Sequence, residues 1–195
     1  MSTPESSPTV ASAPTGSPFA GFLLARAVPA LIAAAVITFS ANHSVIVGQL
    51  VFMAYGFVIA PVFVWASFAN GFERSGRISI LVVGVSAILA AAITAITIDR
   101  GLIAFTLTVG IWGAVSGLLE LYAGWTNPRR EQAREMFLLG GLTAVFGLVE
   151  AVIPLSELYA VGIFGAYAAI LGVFAAIAGF STPKGATGRN RKKAD

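Results

Sequence analysis

Six blocks of apolar residues run along the chain, and each is long enough to cross a lipid bilayer as a helix. They cover about residues 22–41, 44–69, 78–98, 102–125, 136–153 and 158–180. A helix needs roughly 20 such residues to cross about 30 Å of hydrocarbon. Closed barrels also satisfy their backbone groups in lipid, but the blocks lack the polar–apolar alternation of barrel strands. The sequence therefore predicts an all-α membrane protein, a bundle of six transmembrane helices.

The charge content agrees with this prediction. Only 11% of the 195 residues are charged, whereas about 25% is usual in a soluble domain, so a bilayer must cover most of the apolar surface. We expect one transmembrane domain at residues 22–181. It lies between a disordered, Ser/Pro-rich tail at residues 1–21, which has little to bury, and a basic tail at residues 182–195. The first residues lack the basic segment of a cleavable signal peptide.

The distribution of Lys and Arg predicts the orientation, because cytoplasmic loops carry an excess of both. With the N-terminus inside, the outer side holds Arg100 alone. The eleven on the inner side are Arg26, Arg74, Arg77, Arg129, Arg130, Arg134, Lys184, Arg189, Arg191, Lys192 and Lys193. We therefore expect a multi-pass protein of the cell inner (plasma) membrane with both termini in the cytoplasm.

Parts of the blocks resemble one another. The run GIWGAVSG at 110–117 aligns with GAYAAILG at 165–172, and MAYGFVIA at 53–60 is a fainter copy. The run GVSAI at 84–88 likewise matches GLTAV at 141–145. The repeating unit is a helical hairpin of roughly 55 residues. The pattern predicts three parallel hairpin repeats.

Glycines form two stripes on predicted helices. Seven residues are nearly two helical turns, so glycines at that spacing share one face. The glycines at this spacing are Gly110, Gly117 and Gly124 in one stripe and Gly165, Gly172 and Gly179 in the other, and Gly113 adds a GxxxG step with Gly117. In lipid, small residues allow the close backbone contact that drives helix association. Recurrence at the same repeat positions favours packing within the bundle, and an oligomer or partner surface is the alternative.

Three aromatic residues with polar atoms occupy equivalent repeat positions near mid-membrane, namely Tyr55, Trp112 and Tyr167. Each carries an N–H or O–H that seeks a partner when buried. We expect core packing with an interhelical hydrogen bond, and a ligand pocket around them is the alternative.

Glu120 and Glu150 are the acids within the apolar blocks, and intramembrane ionisable groups are candidates for function. Glu120 lies near the predicted cytoplasmic end of its helix, where Arg129, Arg130 or a neighbouring loop arginine is the expected partner. Glu150 lies in the outer third of the fifth block, where we expect Arg100 or an outer hydroxyl group to meet it. A structural role is favoured, and a transport role is the alternative.

Basic residues at the membrane surface predict lipid contacts. Arg26 lies in the first turns of the first block and is expected to extend to the cytoplasmic headgroups. In the C-terminal tail, Arg189, Arg191, Lys192 and Lys193 are expected to bind anionic lipid at about 1 kcal/mol each. This interpretation is preferred to nucleic-acid binding.

The sequence contains no catalytic motif. There is no cysteine, and His43 is the one histidine, so a thiolate or multi-histidine metal site cannot form. We therefore expect no cofactor, no metal and no enzymatic activity.

Three stretches of the chain resemble the HdeD-like family of short-repeat membrane proteins. They are the Gly/aromatic spacing at residues 110–121, the run FLLGG at 137–141 with its continuation to 148, and the run at 165–173. The resemblance covers residues 78–181. It implies a bacterial inner-membrane protein of six helices, and the namesake is linked to acid resistance. It implies no catalytic residue.

Three functions therefore remain open. The first is a non-enzymatic, HdeD-like structural role or a role in acid or envelope stress. The second is an accessory subunit of a larger membrane complex, such as a respiratory complex, or a homo-oligomer. The third is a small transporter or channel.

Overall fold

The computed structural model describes residues 17–153 and 156–182. Over these residues the chain forms six long helices and one short 3-10 turn. The helices are α1 (Pro18–Phe39), α2 (Val45–Ala69), α3 (Arg74–Ile96), α4 (Gly101–Trp125), α5 (Arg130–Val152) and α6 (Glu157–Ser181), and the turn, Ile98–Arg100, precedes α4. Each helix is long and apolar enough to span a membrane. Over the described residues, the prediction of an all-α protein with six helices able to span a membrane is confirmed.

Some helices extend beyond the apolar blocks. Helix α5 begins at Arg130 and α3 at Arg74, several residues before hydrocarbon-compatible sequence starts, because a helix continues into the headgroup region where charged side chains are solvated. The predicted tail boundary at residue 21 is wrong by a turn. Helix α1 begins at Pro18, where a proline is well placed because the first helical residue needs no N–H partner.

The helices form a closed ring in chain order, in which α6 returns to pack against α1. The closest pairs are α4–α5, α1–α6 and α2–α3, whereas the pairs joined as hairpins, α1–α2, α3–α4 and α5–α6, pack less closely. Helix α2 also contacts α4 and α6 across the centre. The tight interfaces are therefore those between hairpins.

Glycines lie at the tightest interface, where α4 meets α5. A methyl group built on Gly110 would lie 2.7 Å from the backbone nitrogen of Ala151, and one on Gly113 would lie 2.9 Å from Cα of Gly147. Both distances are too short for any side chain, so the two backbones are in direct contact. Further along α4, Gly117 and Gly124 also face α5.

The glycines of α6 face α1. A methyl group on Gly165 would lie 2.8 Å from Ile37, and one on Gly172 would lie 2.7 Å from Leu31. Gly179, the third member of the stripe, meets the next part of α1 in the same way. Both predicted stripes thus lie inside the bundle.

The outward faces of the helices carry large apolar side chains that are exposed, such as Phe57, Ile103 and Val145. Transmembrane helices with such faces contact the lipid bilayer.

The bundle has two ends that differ in charge. We call the end that carries Ser17, Thr182 and the turns at 70–73 and 126–129 the basic end. There Arg129 Nη1 donates a hydrogen bond of 2.8 Å to the carbonyl of Asn70 and so joins the two turns. The opposite end carries the turns at 40–44 and 97–100, and there Val45 N–H donates to Glu157 at 3.3 Å.

Candidate functional site

An ion pair lies inside the bundle between Arg26 of α1 and Glu120 of α4. Both side chains are 2% exposed. Nη1 of Arg26 donates to one carboxylate oxygen, and Nη2 donates to the other at 3.0 Å. This two-point geometry fixes both side chains and is the strongest form of hydrogen-bonded ion pair. It joins the first hairpin to the second.

The ion pair continues into hydrogen bonds with the third hairpin. Nη2 of Arg26 donates to the hydroxyl of Thr143 on α5 at 3.3 Å. That hydroxyl donates its one hydrogen to the carbonyl of Leu139 at 2.8 Å. It therefore accepts the hydrogen bond of 3.1 Å that joins it to the hydroxyl of Tyr167 on α6. We call Arg26, Glu120, Thr143 and Tyr167 the polar cluster.

Aromatic rings enclose the polar cluster. The guanidinium carbon of Arg26 lies 5.1 Å from the ring centre of Phe63, which is within the range of a cation–π contact. The ring of Tyr167 stacks on Phe146 with centroids 4.0 Å apart and planes 7° apart. The cluster therefore lies in a setting of low polarity, where its charge–charge and hydrogen-bond interactions are stronger than in water.

Phe164 lies at the centre of the aromatic core. Its ring packs edge to face against Phe52 at 5.6 Å and against Phe105 at 6.4 Å. Trp112 packs against Phe52 at 5.4 Å and against Tyr55 at 6.1 Å. Rings from several helices thus fill the axis of the bundle.

The three aromatic residues at equivalent repeat positions do not behave alike. Tyr167 forms the expected interhelical hydrogen bond, through Thr143. Nε1 of Trp112 is buried and has no hydrogen-bond partner among the described residues. Tyr55 packs with Trp112 and with Phe164 at 6.2 Å.

Two predictions at this site are wrong. Arg26 does not reach the headgroups, because its guanidinium turns inward to a carboxylate, a hydroxyl and an aromatic face. Glu120 pairs with Arg26 rather than with Arg129 or Arg130. A charge in lipid is costly to leave alone, and the two charges neutralise each other within the protein.

Glu150 lies buried near the opposite end of the bundle. It is 1% exposed, and neither carboxyl oxygen has a hydrogen-bond partner among the described residues. The predicted contact with Arg100 is wrong, because that side chain is exposed and lies 3.9 Å from Asp99. Glu150 and the polar cluster are separate sites.

Sequence analysis missed Thr143, Phe63 and the pairing of Arg26. A signal for the pairing was present. Arg26 lies eight residues from the start of α1, which is about 12 Å, and Glu120 lies five residues from the end of α4. The two helices run in opposite directions, so these opposite charges lie at similar depths.

Among residues 17–153 and 156–182, no group of three or more His, Asp or Glu side chains is arranged to hold a metal ion. The predicted headgroup ligands Arg189, Arg191, Lys192 and Lys193 lie outside the described residues.

Comparison of the chain with models of known protein families, with characterised proteins and with solved structures finds no match. The resemblance to the HdeD-like family therefore rests on the sequence motifs alone.

Proposed function

We propose that this six-span protein is a non-enzymatic structural protein of the bacterial inner membrane, HdeD-like in kind, which acts under acid or envelope stress. The observation that carries the proposal is the polar cluster, because Arg26, Glu120, Thr143 and Tyr167 come from four helices and all three hairpins. The motif resemblance supplies the link to stress.

The polar cluster can determine which helices pack together during assembly of the bundle. In lipid the hydrophobic effect does not distinguish one apolar helix face from another, so close packing and polar contacts decide which helices meet. A misplaced hairpin would leave Arg26 or Glu120 without its partner, at a cost of several kcal/mol. Aromatic rings close the cluster off, which favours a fixed bundle over one that moves its charges.

Three further features belong to this proposal. The termini lie in the cytoplasm, which the excess of Lys and Arg at the basic end supports. The hairpins are three parallel repeats, supported by the alternation of close and loose helix pairs around the ring. The basic C-terminal tail contacts anionic lipids at the cytoplasmic face.

A deletion strain tests the role directly. Loss of the gene is expected to lower survival after acid or envelope stress, and the wild-type gene is expected to restore it. The Arg26→Met variant should restore survival less well than Arg100→Met, which changes an exposed arginine. Unchanged survival of the deletion strain under both stresses would contradict the proposal.

A second candidate function is proton-linked transport. It is favoured by Glu150, which is buried and has no hydrogen-bond partner in the described part of the chain, at one depth and by the polar cluster at another. This candidate predicts proton flux into liposomes that contain the protein. Glu120→Gln and Glu150→Gln should each abolish that flux, and flux equal to that of empty liposomes would reject transport.

The third candidate, an accessory subunit, is tested by purification of the tagged protein in mild detergent. Reproducible co-purification of other membrane subunits would support it, and a chain that purifies alone would reject it.

A further inference from the structure

A charged cleft of about 630 Å³ opens at the basic end, between the start of α1, the start of α5 and the end of α6. This volume is within the usual range for small-molecule sites. Among the described residues, the charged ones that line it are Arg129, Arg130, Glu131 and Glu135, and Ser17 and Thr182 also line it. These described side chains, two positive and two negative, have a summed formal charge of zero.

A groove continues from the cleft along the outside of the bundle. It has a volume of about 570 Å³, shares Ser17 and Thr182 with the cleft, and passes over Gly21 and Leu24 of α1 and Phe180 of α6. Its lining is mainly apolar. Trp65 and Phe180 in this lining are exposed on the outside of the bundle, so a lipid beside the helices would reach the groove from the side.

A third hollow, of about 400 Å³, extends the groove further from the basic end. It shares Gly21 and Trp65 with the groove and reaches Ala25 and Pro61. From Pro18 to Ala25 the path follows α1 for about 10 Å. Cleft, groove and hollow thus form one track that is charged at the membrane surface and apolar in the hydrocarbon.

We propose that this track binds one phospholipid whose headgroup carries both a phosphate and a primary ammonium group. The phosphate would pair with Arg130 and with N–H groups of Arg129 that donate to no described residue, since guanidinium groups suit phosphate oxygens. The ammonium would donate to Glu131 and Glu135. An acyl chain would lie in the apolar part of the track.

The charges in the cleft favour this headgroup over others. A phospholipid with a phosphate and no ammonium group would pair with the two arginines and leave Glu131 and Glu135 without a donor. A choline headgroup has no N–H to donate to them, and quaternary ammonium groups are bound mainly by aromatic faces. A headgroup with one phosphate and one ammonium complements both pairs of side chains.

Contacts among the described residues leave most of these charges available. Arg129 uses Nη1 for the carbonyl of Asn70. Among the described residues, Arg130, Glu131 and Glu135 form no salt bridge. The negative charge of Glu131 is stabilised in part by the positive end of the α5 dipole, because this residue lies in the first turn of the helix. Glu135 lies one turn further along, where the helix dipole contributes less.

Native mass spectrometry tests the proposal. The full-length protein is equilibrated in nanodiscs with equal amounts of phosphatidylethanolamine, phosphatidylglycerol and phosphatidylcholine, and the retained lipid is identified. We expect one retained molecule, mainly phosphatidylethanolamine. Glu135→Gln should lower the preference for it over phosphatidylglycerol about tenfold, because one charge-assisted hydrogen bond is lost.

Two further variants test the other parts of the track. Arg130→Gln should weaken retention of all three lipids. Gly21→Leu should fill the groove and so weaken retention. A methyl group built on Gly21 would already lie 3.4 Å from Cη2 of Trp65, so a leucine side chain would occupy the space beside that ring. Gly21→Ala, which leaves that contact at an ordinary distance, is the milder second variant and should weaken retention less.

Matched controls change residues outside the track and should retain lipid as the wild type does. They are Glu73→Gln and Arg77→Gln, which are exposed, and Gly141→Leu, which has open space around it.

Three results would overturn the proposal. Equal or greater retention of phosphatidylglycerol would reject the headgroup assignment. Unchanged retention in both Glu135→Gln and Gly21→Leu would reject the track as the site. Increased retention after removal of residues 183–195 would show that the chain's own basic tail is the occupant.

Discussion

Two carboxyl groups are buried in this bundle, and their surroundings differ. Glu120, toward the basic end, receives two hydrogen bonds from Arg26. Glu150, near the opposite end, has no hydrogen-bond partner among the described residues. The same side chain at the same degree of burial therefore contributes differently to the fold, because the contribution of a buried carboxyl group depends on its partner. Burial alone does not identify a residue that holds the bundle together.

The largest effect is expected when the partner of Glu120 is removed. Arg26→Met preserves the length of the apolar stem and leaves Glu120 buried and unpaired, so the free energy of unfolding should fall by about 3–5 kcal/mol. Titration with a denaturing detergent in bicelles measures it. Arg100→Met, at an exposed arginine, is the control and should change stability by less than about 1 kcal/mol. Equal effects of the two substitutions would remove the distinction between the buried and the exposed arginine.

A smaller effect is expected for Thr143→Val, which keeps the shape of the side chain and removes the hydroxyl that links Arg26 to Tyr167. Interhelical hydrogen bonds in membranes contribute about 0.6–2 kcal/mol, so the free energy of unfolding should fall by that amount in the same titration. Thr38→Val, at an exposed position of α1, should leave it unchanged. A loss as large as that of Arg26→Met would mean that the hydroxyl, and not the ion pair, is the main link.

The smallest effect is expected for Glu150→Gln. The amide has the shape of the carboxyl group, and no hydrogen bond to a described residue is lost, so the free energy of unfolding should change by about 0.5 kcal/mol or less. The matched substitution Glu120→Gln removes one charge of the ion pair and should cost several times more. Comparable losses in the two variants would show that Glu150 has a partner of similar strength.

Much of the fold was predictable from the sequence because the bilayer dictates the length and apolar character of each helix. The glycine stripes lie at helix interfaces for a similarly simple reason, since Gly110 and Gly172 occupy places where no side chain fits. Both features can be recognised from the residues of a single helix, without knowledge of its neighbours.

The polar cluster was not predictable in the same way. Whether an arginine such as Arg26 extends to the headgroups or turns inward depends on which helix lies beside it, and the ring order of the helices is a tertiary property. The role of Thr143 depends on the same information. Matching depths on antiparallel helices, as for Arg26 and Glu120, is the one sequence signal that pointed to the pair.

The most direct test of the central claim is a double-mutant cycle on Arg26 and Glu120. We expect Arg26→Met and Glu120→Met each to be strongly destabilising, and the double variant to be much more stable than their summed losses imply. The coupling free energy should exceed about 2 kcal/mol, because the second substitution removes the unpaired charge left by the first. Losses that add within about 0.5 kcal/mol would contradict the claim that this ion pair joins the hairpins.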